Sequence, residues 1–519
     1  MARNVTLTTL VSSVEMDSNP LFTQLLEAAS EWIRIHQCDD STEGRPTLTS
    51  TPFSLLMHLV GDDRQAELFS PTEAVESWLA AERALALAQA ELGIISREDA
   101  QAIAKAAVPA NIDLDRLWSS ARNVGYPILG VVREIAAALP EGANGRVHYG
   151  ATTQDIMDTG LALQLQRSLK FLDEDLERLG DRLAEQVLAH SDTIMAGRTH
   201  AQQAVPTTFG ATLATMLSQF TRQRERIAQA LPRIAGISMF GAGGTSAAYG
   251  SQSAVLRARV AELLGLEGTD VPWHVERDSL AEFGWLCVTI TASCAKFARN
   301  IVDLSRTEIG EVFEPYSPHR GASSTMPQKV NPISSELIIG LSGTAGALAS
   351  SLARIQEAGH ERSAGEWQIE WQVIPQLASL AGSALRETLV IVDGMRVDAE
   401  RMHRNMELDG GLVLAEAQMI QLADKVGREE AHDLLYAAST RARETGTVLA
   451  DALRAVAAEQ GMADLLPESL VQAAYYLGEA ESICKTAVSI WHSRTPLQAA
   501  CPPINELAPA PSGAEGVPA

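Results

Sequence analysis

A chain of 519 residues is long enough for roughly two to four structural units, and its hydrophobic fraction of 46% is enough to bury a sizeable core. The formal net charge is −24. This excess of acid argues against nucleic acid as a partner, because phosphate binding needs clustered Lys and Arg. It does not exclude a small anionic substrate, since the charge that matters there is the charge lining the pocket.

The cysteines and the N-terminus bear on the cellular compartment. The five cysteines form no C-x-x-C pair and no Cys/His cluster, which predicts buried free thiols, a reducing cytoplasmic setting and no metal site. No signal peptide is expected, because Val5–Val14 is interrupted by Thr and Ser and is followed by acidic residues. The uncharged stretch Leu337–Ala353 consists mainly of Gly, Ala and Ser and is short for a bilayer, so we expect a buried helix there.

The chain begins with a segment of no recognisable chemistry. Residues 1–66 are predicted to be an N-terminal extension, with an amphipathic helix over Asn19–Ile35 and a polar loop over Asp39–Thr51. A helix then opens at Ser70-Pro71, a cap residue followed by proline in the first turn, and runs to about Leu92. Further helices are predicted over Arg97–Val108, Leu114–Asn123, Thr207–Ile234 and Leu280–Phe313.

The clearest structural pattern lies between residues 160 and 185. Leucines there alternate in steps of four and three, with charged residues on the other faces: Leu165, Leu169, Leu172, Leu176, Leu179 and Leu183. This heptad seam predicts a long helix in a bundle. No segment has a convincing strand pattern. We therefore predict an all-α fold with a central bundle of long helices.

Two polar stretches flank this helix. In Gly145–Thr159, the residues Thr152, Thr153 and Gln154 precede or open a helix, where free backbone N–H groups and the dipole favour a carboxylate. In Gly197–Pro206, Arg198 offers a fork for a carboxylate and His200 an imidazole that titrates near neutral pH. Taken alone, the first cluster fits ordinary helix capping equally well, and a single histidine before a helix is usually structural.

The densest polar stretch is Gly321–Pro332, predicted to be an exposed loop that runs into a helix. Ser323, Ser324, Lys329 and Asn331 place hydroxyls, a fixed cation and an amide within nine residues. Such a set suits an anionic ligand and a weak base that needs activation. A serine-rich cap with a solvated lysine is the plainer interpretation of these residues.

In this order and spacing, the three stretches resemble the signature regions of the fumarase/aspartase superfamily, which includes argininosuccinate lyase, adenylosuccinate lyase and 3-carboxy-cis,cis-muconate cycloisomerase. The resemblance extends over roughly residues 68–490, and His360–Trp371 is similar to the cycloisomerase branch. It implies a three-domain all-α fold, with an N-terminal helical domain (67–153), a central bundle that carries the signature loop (154–405), a C-terminal helical domain (406–495) and a disordered tail (496–519).

The resemblance also implies roles for individual residues. Members are homotetramers that need no cofactor, and each active site combines the three regions from three subunits. Ser323 would be the general base, and His200 with Thr199 would face the leaving group. The shared reaction is anti β-elimination from a succinyl compound. The residues expected to contact the substrate are His148, Thr152, Thr153, Gln154, Arg198, Thr199, Ser324, Met326, Lys329, Asn331 and Arg362.

Two departures weigh against adenylosuccinate as the substrate. The segment Asn123–Leu129 lacks the histidine of adenylosuccinate lyases, and Glu366 and Glu370 stand where a nucleotide phosphate would be repelled. We therefore expect a small non-nucleotide substrate. The favoured candidate is a carbon–nitrogen lyase of secondary metabolism, with nitrosuccinate giving fumarate and nitrous acid. The alternative is 3-carboxy-cis,cis-muconate cycloisomerase, which forms a lactone.

Two functions of other classes fit the sequence less well. A non-catalytic structural protein, as in the lens crystallins of this superfamily, would not need Ser323, Lys329, Asn331 and His200 together. A serine hydrolase is disfavoured because no G-x-S-x-G motif is present and a helical fold does not suit one.

Overall fold

A computed structural model gives the fold of residues 54–140 and 144–494. The predicted helix Asn19–Ile35, the predicted loop Asp39–Thr51 and the tail 496–519 lie outside the described residues. Within the described part the chain is predominantly helical, as the sequence predicts.

Short and medium helices precede the bundle. They are α1 (Leu55–Val60), α2 (Asp63–Leu68), α3 (Pro71–Glu91), α4 (Arg97–Ala106), α5 (Leu114–Val124) and α6 (Ile128–Ala137). The start of α3 is as predicted, because the Ser70 hydroxyl accepts the backbone N–H of Glu73 at 3.2 Å. Helix α2 packs on the bundle, where Gln65 Nε2 donates to the Ser168 carbonyl at 3.2 Å. Residues 55–66, assigned to the extension from sequence, are thus part of the helical body.

The bundle and its connecting helices follow in chain order. They are α7 (Thr153–Ala189), α8 (Phe209–Ile234), α9 (Ser253–Leu264), α10 (Asp278–Leu304), α11 (Ile333–Ala349), α12 (Leu352–Ile355) and α13 (Glu366–Gly394). The leucines of the predicted heptad seam all lie on α7 and are 0% exposed. They form one hydrophobic core with residues of α8, α10, α11 and α13, which confirms the predicted bundle.

A β-hairpin after α7 corrects the expectation that the chain has no strands. Strands β1 (Ile194–Thr199) and β2 (Gln202–Thr208) pair antiparallel. The turn residues His200 and Ala201 have positive φ angles of 49° and 62°. Turns of this kind are normally signalled by Asn-Gly or Asp-Gly, and neither dipeptide occurs here. The hairpin therefore left no recognisable pattern in the sequence.

A second ribbon corrects the predicted end of α10. That helix stops at Leu304 rather than near Phe313, and the chain turns at Gly310, which has a φ of 64°. Strand β3 (Val312–Phe313) then pairs antiparallel with β4 (Arg396–Val397). The ribbon precedes the signature loop by a few residues in the chain.

The C-terminal part contains α14 (Ala399–Asn405), α15 (Ala415–Val426), α16 (Arg428–Thr445), α17 (Leu449–Glu459) and α18 (Ala480–His492). Helices α15–α17 bury a small hydrophobic core of their own. Helix α18 instead joins the bundle core, where Trp491 Nε1 donates to Asp181 Oδ1 at 2.7 Å. The helices of the region 406–495, expected to form one domain, are therefore divided between two cores.

Two predictions about buried groups have different outcomes. Cys287, Cys294 and Cys484 are free and buried, as predicted for the thiols in the described part of the chain. The stretch Ile333–Ile355, by length and composition able to cross a membrane, has a mean hydropathy of 1.3 but is only 22% buried. Helix α11 packs on α10 and α13 along one side, so the expected burial is achieved on that side alone.

Candidate functional site

The first signature stretch is held by a buried carboxylate at the start of α7. Asp155 Oδ2 accepts the backbone N–H of Thr152 at 3.0 Å, which closes a capping box. The same carboxylate accepts the N–H groups of Phe240 and Gly241 at 2.9 and 2.8 Å and lies 2.9 Å from His274 Nε2. Asp155 thus ties the start of α7 to a distant glycine-rich turn and fixes the orientation of Thr152.

Arg362 reaches this helix start from a distant part of the sequence. Its Nη1 donates to Gln154 Oε1 at 3.0 Å, and its Nη2 to the Ala242 carbonyl at 3.1 Å and to Thr152 Oγ1 at 3.5 Å. Gln154 is 0% exposed and donates its amide to the His274 carbonyl at 2.8 Å. Both ends of this amide are used inside the chain, so Gln154 holds Arg362 in place rather than offering a free group to a substrate.

We call Thr152, Thr153, Gln154 and Arg362 the anchored half-site. It combines a helix N-terminus with a guanidinium group, and both favour a carboxylate. The structure therefore brings together four of the residues predicted to contact the substrate.

His148 lies against a buried acid that the sequence did not single out. Its Nδ1 is 2.6 Å from Oε1 of Glu82, which is 1% exposed on α3. Burial lowers the pKa of His148, but the charges of Glu82 and Asp155 and the hydrogen bond to Glu82 outweigh it, so the net pKa is raised. An acidic residue inside the Ala- and Leu-rich helix Trp78–Leu92 was the available signal for this pair.

A second buried ionic cluster lies one turn further along α7. Arg277 donates to both oxygens of Asp158 at 2.9 and 3.1 Å and to Glu370 Oε2 at 3.1 Å, and none of the three is more than 2% exposed. Burial raises the pKa of Glu370 to about 7 although Arg277 opposes the shift. The expectation that Glu370 would repel a ligand phosphate is wrong, because its carboxylate faces Arg277 in the interior. Glu366 accepts a hydrogen bond from Ser363.

The β1–β2 hairpin places the second signature stretch at the far end of α7. Arg198 forms a two-pronged ion pair with Glu311, at 2.9 and 2.5 Å, and Asn405 Nδ2 also donates to that carboxylate at 2.7 Å. Glu311 is 0% exposed, so this ion pair holds the hairpin to the residue that directly precedes β3. The guanidinium fork predicted to hold the substrate is occupied by a carboxylate of the chain itself. Thr199 and His200 are exposed at the hairpin tip.

The signature loop is closed at its neck. The Asn331 N–H donates to the Gly321 carbonyl at 2.8 Å, and Ala322 and Val330 form an isolated antiparallel bridge. Gly321 has a φ of 67°, and a Cβ there would lie 2.3 Å from the Asn331 carbonyl oxygen. A side chain at this position would therefore force the neck open. We call residues 321–332 the flap.

Within the flap, backbone donors point at the serine predicted to be the base. The N–H groups of Thr325 and Met326 donate to Ser323 Oγ, at 3.3 and 3.1 Å. Two such donors stabilise a negative charge on this oxygen, which is what a serine needs in order to accept a proton. Ser324, Met326 and Lys329 are exposed, and Asn331 is half-buried.

A single chain does not assemble these regions into one site. Helix α7 has 37 residues, so the anchored half-site and the hairpin are separated by about 55 Å along it. In residues 54–140 and 144–494, no hydrogen bond or ion pair joins Ser323 to His200 or to the anchored half-site. The same residues contain no group of three or more His, Cys, Asp or Glu side chains arranged to hold a metal ion.

Two models of known protein families match this chain. The model of the lyase family matches residues 60–346, and the model for the adenylosuccinate lyase C-terminus matches residues 411–487. The signature stretches indicated a resemblance over residues 68–490. The first match begins slightly before this region, and the second lies inside it.

Relatives and a solved structure agree with this. The chain is 40% identical over 434 residues to 3-carboxy-cis,cis-muconate cycloisomerase of Pseudomonas aeruginosa, covering 82% of this chain and 94% of that protein. It is 37% identical over 440 residues to nitrosuccinate lyase of Streptomyces davaonensis, covering 81% and 92%. The crystal structure of 3-carboxy-cis,cis-muconate lactonizing enzyme from Pseudomonas putida superimposes with a TM-score of 0.77 at 38% identity, over 84% and 99% of the two chains. The protein is thus a lyase-family member of the fumarase/aspartase superfamily.

Proposed function

We propose that the protein acts on a small polycarboxylate, with Ser323 moving the proton on the carbon next to a carboxylate. The observation that carries this is the pair of N–H donors at Ser323 Oγ, from Thr325 and Met326. A free serine is too weak a base for this step, and its alkoxide becomes accessible only where donors are already in place.

The charges of the two halves support a substrate with more than one carboxylate. Arg362 provides a cation in the anchored half-site. Lys329 provides a cation in the flap, and Asn331 adds an amide donor there. Removing the proton leaves two negative charges on one carboxylate group, so cations on both sides of the substrate favour the reaction.

The first specific candidate is cycloisomerisation of 3-carboxy-cis,cis-muconate, the activity named for relatives that are 40% and 41% identical to this chain. In this reaction a carboxylate oxygen adds to one carbon of a double bond and a proton arrives at the other. Ser323 would deliver that proton, and in the reverse direction remove it.

The second candidate is elimination from nitrosuccinate, the activity named for a relative that is 37% identical. Here the proton leaves the carbon next to a carboxylate, the C–N bond breaks, and fumarate and nitrite are released. Nitrite, and the carboxylate that would leave in the reverse of the cycloisomerisation, both depart as stable anions, so His200 would act in either reaction by orienting the substrate rather than as a strong acid.

We also propose that the active site forms between copies of this chain, as a homotetramer. The anchored half-site and the β1–β2 hairpin lie at opposite ends of α7 in one chain, about 55 Å apart along its 37 residues. The apolar helix α11 is open on one side, where Gly340, Gly343 and Gly346 would accept a Cβ without contact. Small residues on an exposed apolar helix allow another helix to approach closely.

The substrate proposal is tested by giving the purified protein 3-carboxy-cis,cis-muconate and nitrosuccinate in separate assays. Loss of the diene absorbance with lactone as product supports the first candidate, and fumarate with equimolar nitrite supports the second. Turnover of neither compound would contradict both.

Assembly is tested by mixing the variants His200→Asn and Ser323→Ala after partial dissociation. Asparagine tolerates the positive φ of residue 200, so the hairpin should keep its form. Each variant alone should be nearly inactive, whereas mixed oligomers should regain a fraction of wild-type activity. No regain in mixtures shown to contain both chains would contradict a shared site.

A further inference from the structure

The flap behaves geometrically as one closed unit, and its position depends on what holds its base. Its neck is tied by the Asn331–Gly321 hydrogen bond and the Ala322–Val330 bridge. Both strands of the neck lead to the same place: Arg320 on one side, and Pro332 with the first turn of α11 on the other. Whatever fixes this base sets the direction in which Ser323 points.

Glu314 lies at the base of the flap. Its carboxylate accepts the backbone N–H of Ser334 at 3.2 Å and that of Ser335 at 2.7 Å. These are orphan donors in the first turn of α11, whose own N-cap, Pro332, provides no side-chain hydrogen bond. Glu314 is 8% exposed, and Ser334 and Ser335 are buried. A residue 20 positions earlier in the chain thus caps the helix that follows the flap.

Further contacts close the base on its other side. Arg320 Nη2 donates to Ser334 Oγ at 2.6 Å and lies 3.5 Å from Glu314 Oε2. Ser334 Oγ in turn donates to Glu387 Oε2 on α13, at 2.5 Å. The chain entering the flap and the chain leaving it therefore meet at one carboxylate, which is fastened to the bundle through Ser334.

We propose that Glu314 is a positioning residue for the reaction proposed above, the pivot about which the flap carries Ser323 towards the substrate. The carboxylate of Glu314 accepts from two backbone donors and faces one guanidinium group. The base of the flap therefore stays fixed while the exposed tip of the flap moves. This inference rests on the proposed function for its kinetic consequence, but the anchoring itself can be measured without substrate.

The test compares Glu314→Gln with Glu308→Gln. Glu308 is an exposed acid in the segment between α10 and β3. The glutamine keeps the size of the side chain but turns an NH₂ group towards donors. We expect amide hydrogen exchange in residues 322–330 to rise by about tenfold in the apo protein, and kcat to fall by a similar factor. Exchange in α10 and α13, and the Tm, should stay near those of Glu308→Gln.

Other outcomes decide against the proposal. Equal flap exchange in the two variants would overturn it, and so would faster exchange spread over the whole bundle, which indicates a role in folding only. If Glu314→Gln does not fold, Glu314→Asp replaces it; this variant keeps the charge and shortens the reach, and the same localised rise is required. Inactive wild-type protein would defeat the proposed function but leave the exchange result interpretable.

Discussion

The anchored half-site and the flap differ in how they are supported. The anchored half-site rests on buried groups of its own chain: Asp155 fixes Thr152, and Gln154 fixes Arg362. The flap displays Ser324, Met326 and Lys329 to solvent, and its contacts with the rest of the chain are concentrated at its base. One chain thus carries a buried, rigidly supported end that favours a carboxylate and an exposed loop that is held mainly at its base.

This difference indicates where each kind of substitution should act. Changes in the buried network should reduce stability, because an unpaired buried charge is costly. Changes on the flap should reduce activity and leave stability nearly unchanged, because exposed side chains contribute little to folding.

The largest effect is expected from Ser323→Ala on the flap. Loss of the proposed base should lower kcat by about 10² to 10⁴-fold, with Tm within a few degrees of wild type. Steady-state kinetics and thermal unfolding measure the two quantities. Ser482→Ala, the same substitution at an exposed serine of α18, is the matched control and should retain activity. If Ser323→Ala instead lowers Tm markedly and keeps its activity, Ser323 supports the fold rather than the reaction.

In the buried network, Arg277→Met should show the next largest effect. It leaves Asp158 and Glu370 without their shared cation, which we expect to reduce the free energy of unfolding by about 3–5 kcal/mol. Urea denaturation measures this. The control is Arg306→Met, whose partner Asp303 is exposed and whose loss should cost less than about 1 kcal/mol. If the free energy of unfolding falls by a similar amount in the two variants, the buried cluster does not stabilise the fold more than a surface ion pair does.

Arg362→Met tests whether the anchored half-site binds a carboxylate. Loss of the guanidinium should raise KM by about tenfold or more, because a hydrogen bond to a charged group is typically worth 1.5–3 kcal/mol, and kcat should change less. Arg354→Met, an exposed arginine paired with Glu357, provides the comparison and should leave KM unaltered. An unchanged KM in Arg362→Met would remove this residue from the site.

The smallest effect is expected from His148→Gln, and it should depend on pH. The folded-state pKa of His148 lies above its ordinary value of 6.5, so the folded protein holds this proton more tightly than the unfolded chain. The resulting stability is fully present below about pH 6.5 and is lost as pH rises through the folded-state pKa. The variant should lose about 1 kcal/mol in the acidic range and progressively less above it.

Urea titrations from about pH 6 to pH 9 measure this dependence, with His403→Gln, a surface histidine, as the control. A loss that stays constant across this range would show that the Glu82–His148 contact contributes no proton-linked stability.

Local sequence patterns predicted much of the fold and part of the site. The heptad leucines placed α7, Ser70-Pro71 placed the start of α3, and the order of the polar stretches pointed to the superfamily. The first two signals lie within a few turns of chain, where backbone geometry alone relates the residues, and the third depends on the resemblance to a known superfamily. The hairpin at residues 194–208 was missed because its turn carries none of the usual residues.

The partners of the site residues were decided by the tertiary structure. His148 meets Glu82 across 66 positions, Asp155 meets His274 across 119, and Arg198 meets Glu311 across 113. No local pattern relates residues this far apart, since only the packing of the bundle brings their helices together. The sequence by itself determined a helical lyase with an exposed serine loop. Packing decided that Gln154, Arg198 and Glu370 are occupied inside the chain, because each is buried or half-buried beside a partner of complementary charge or hydrogen-bonding capacity.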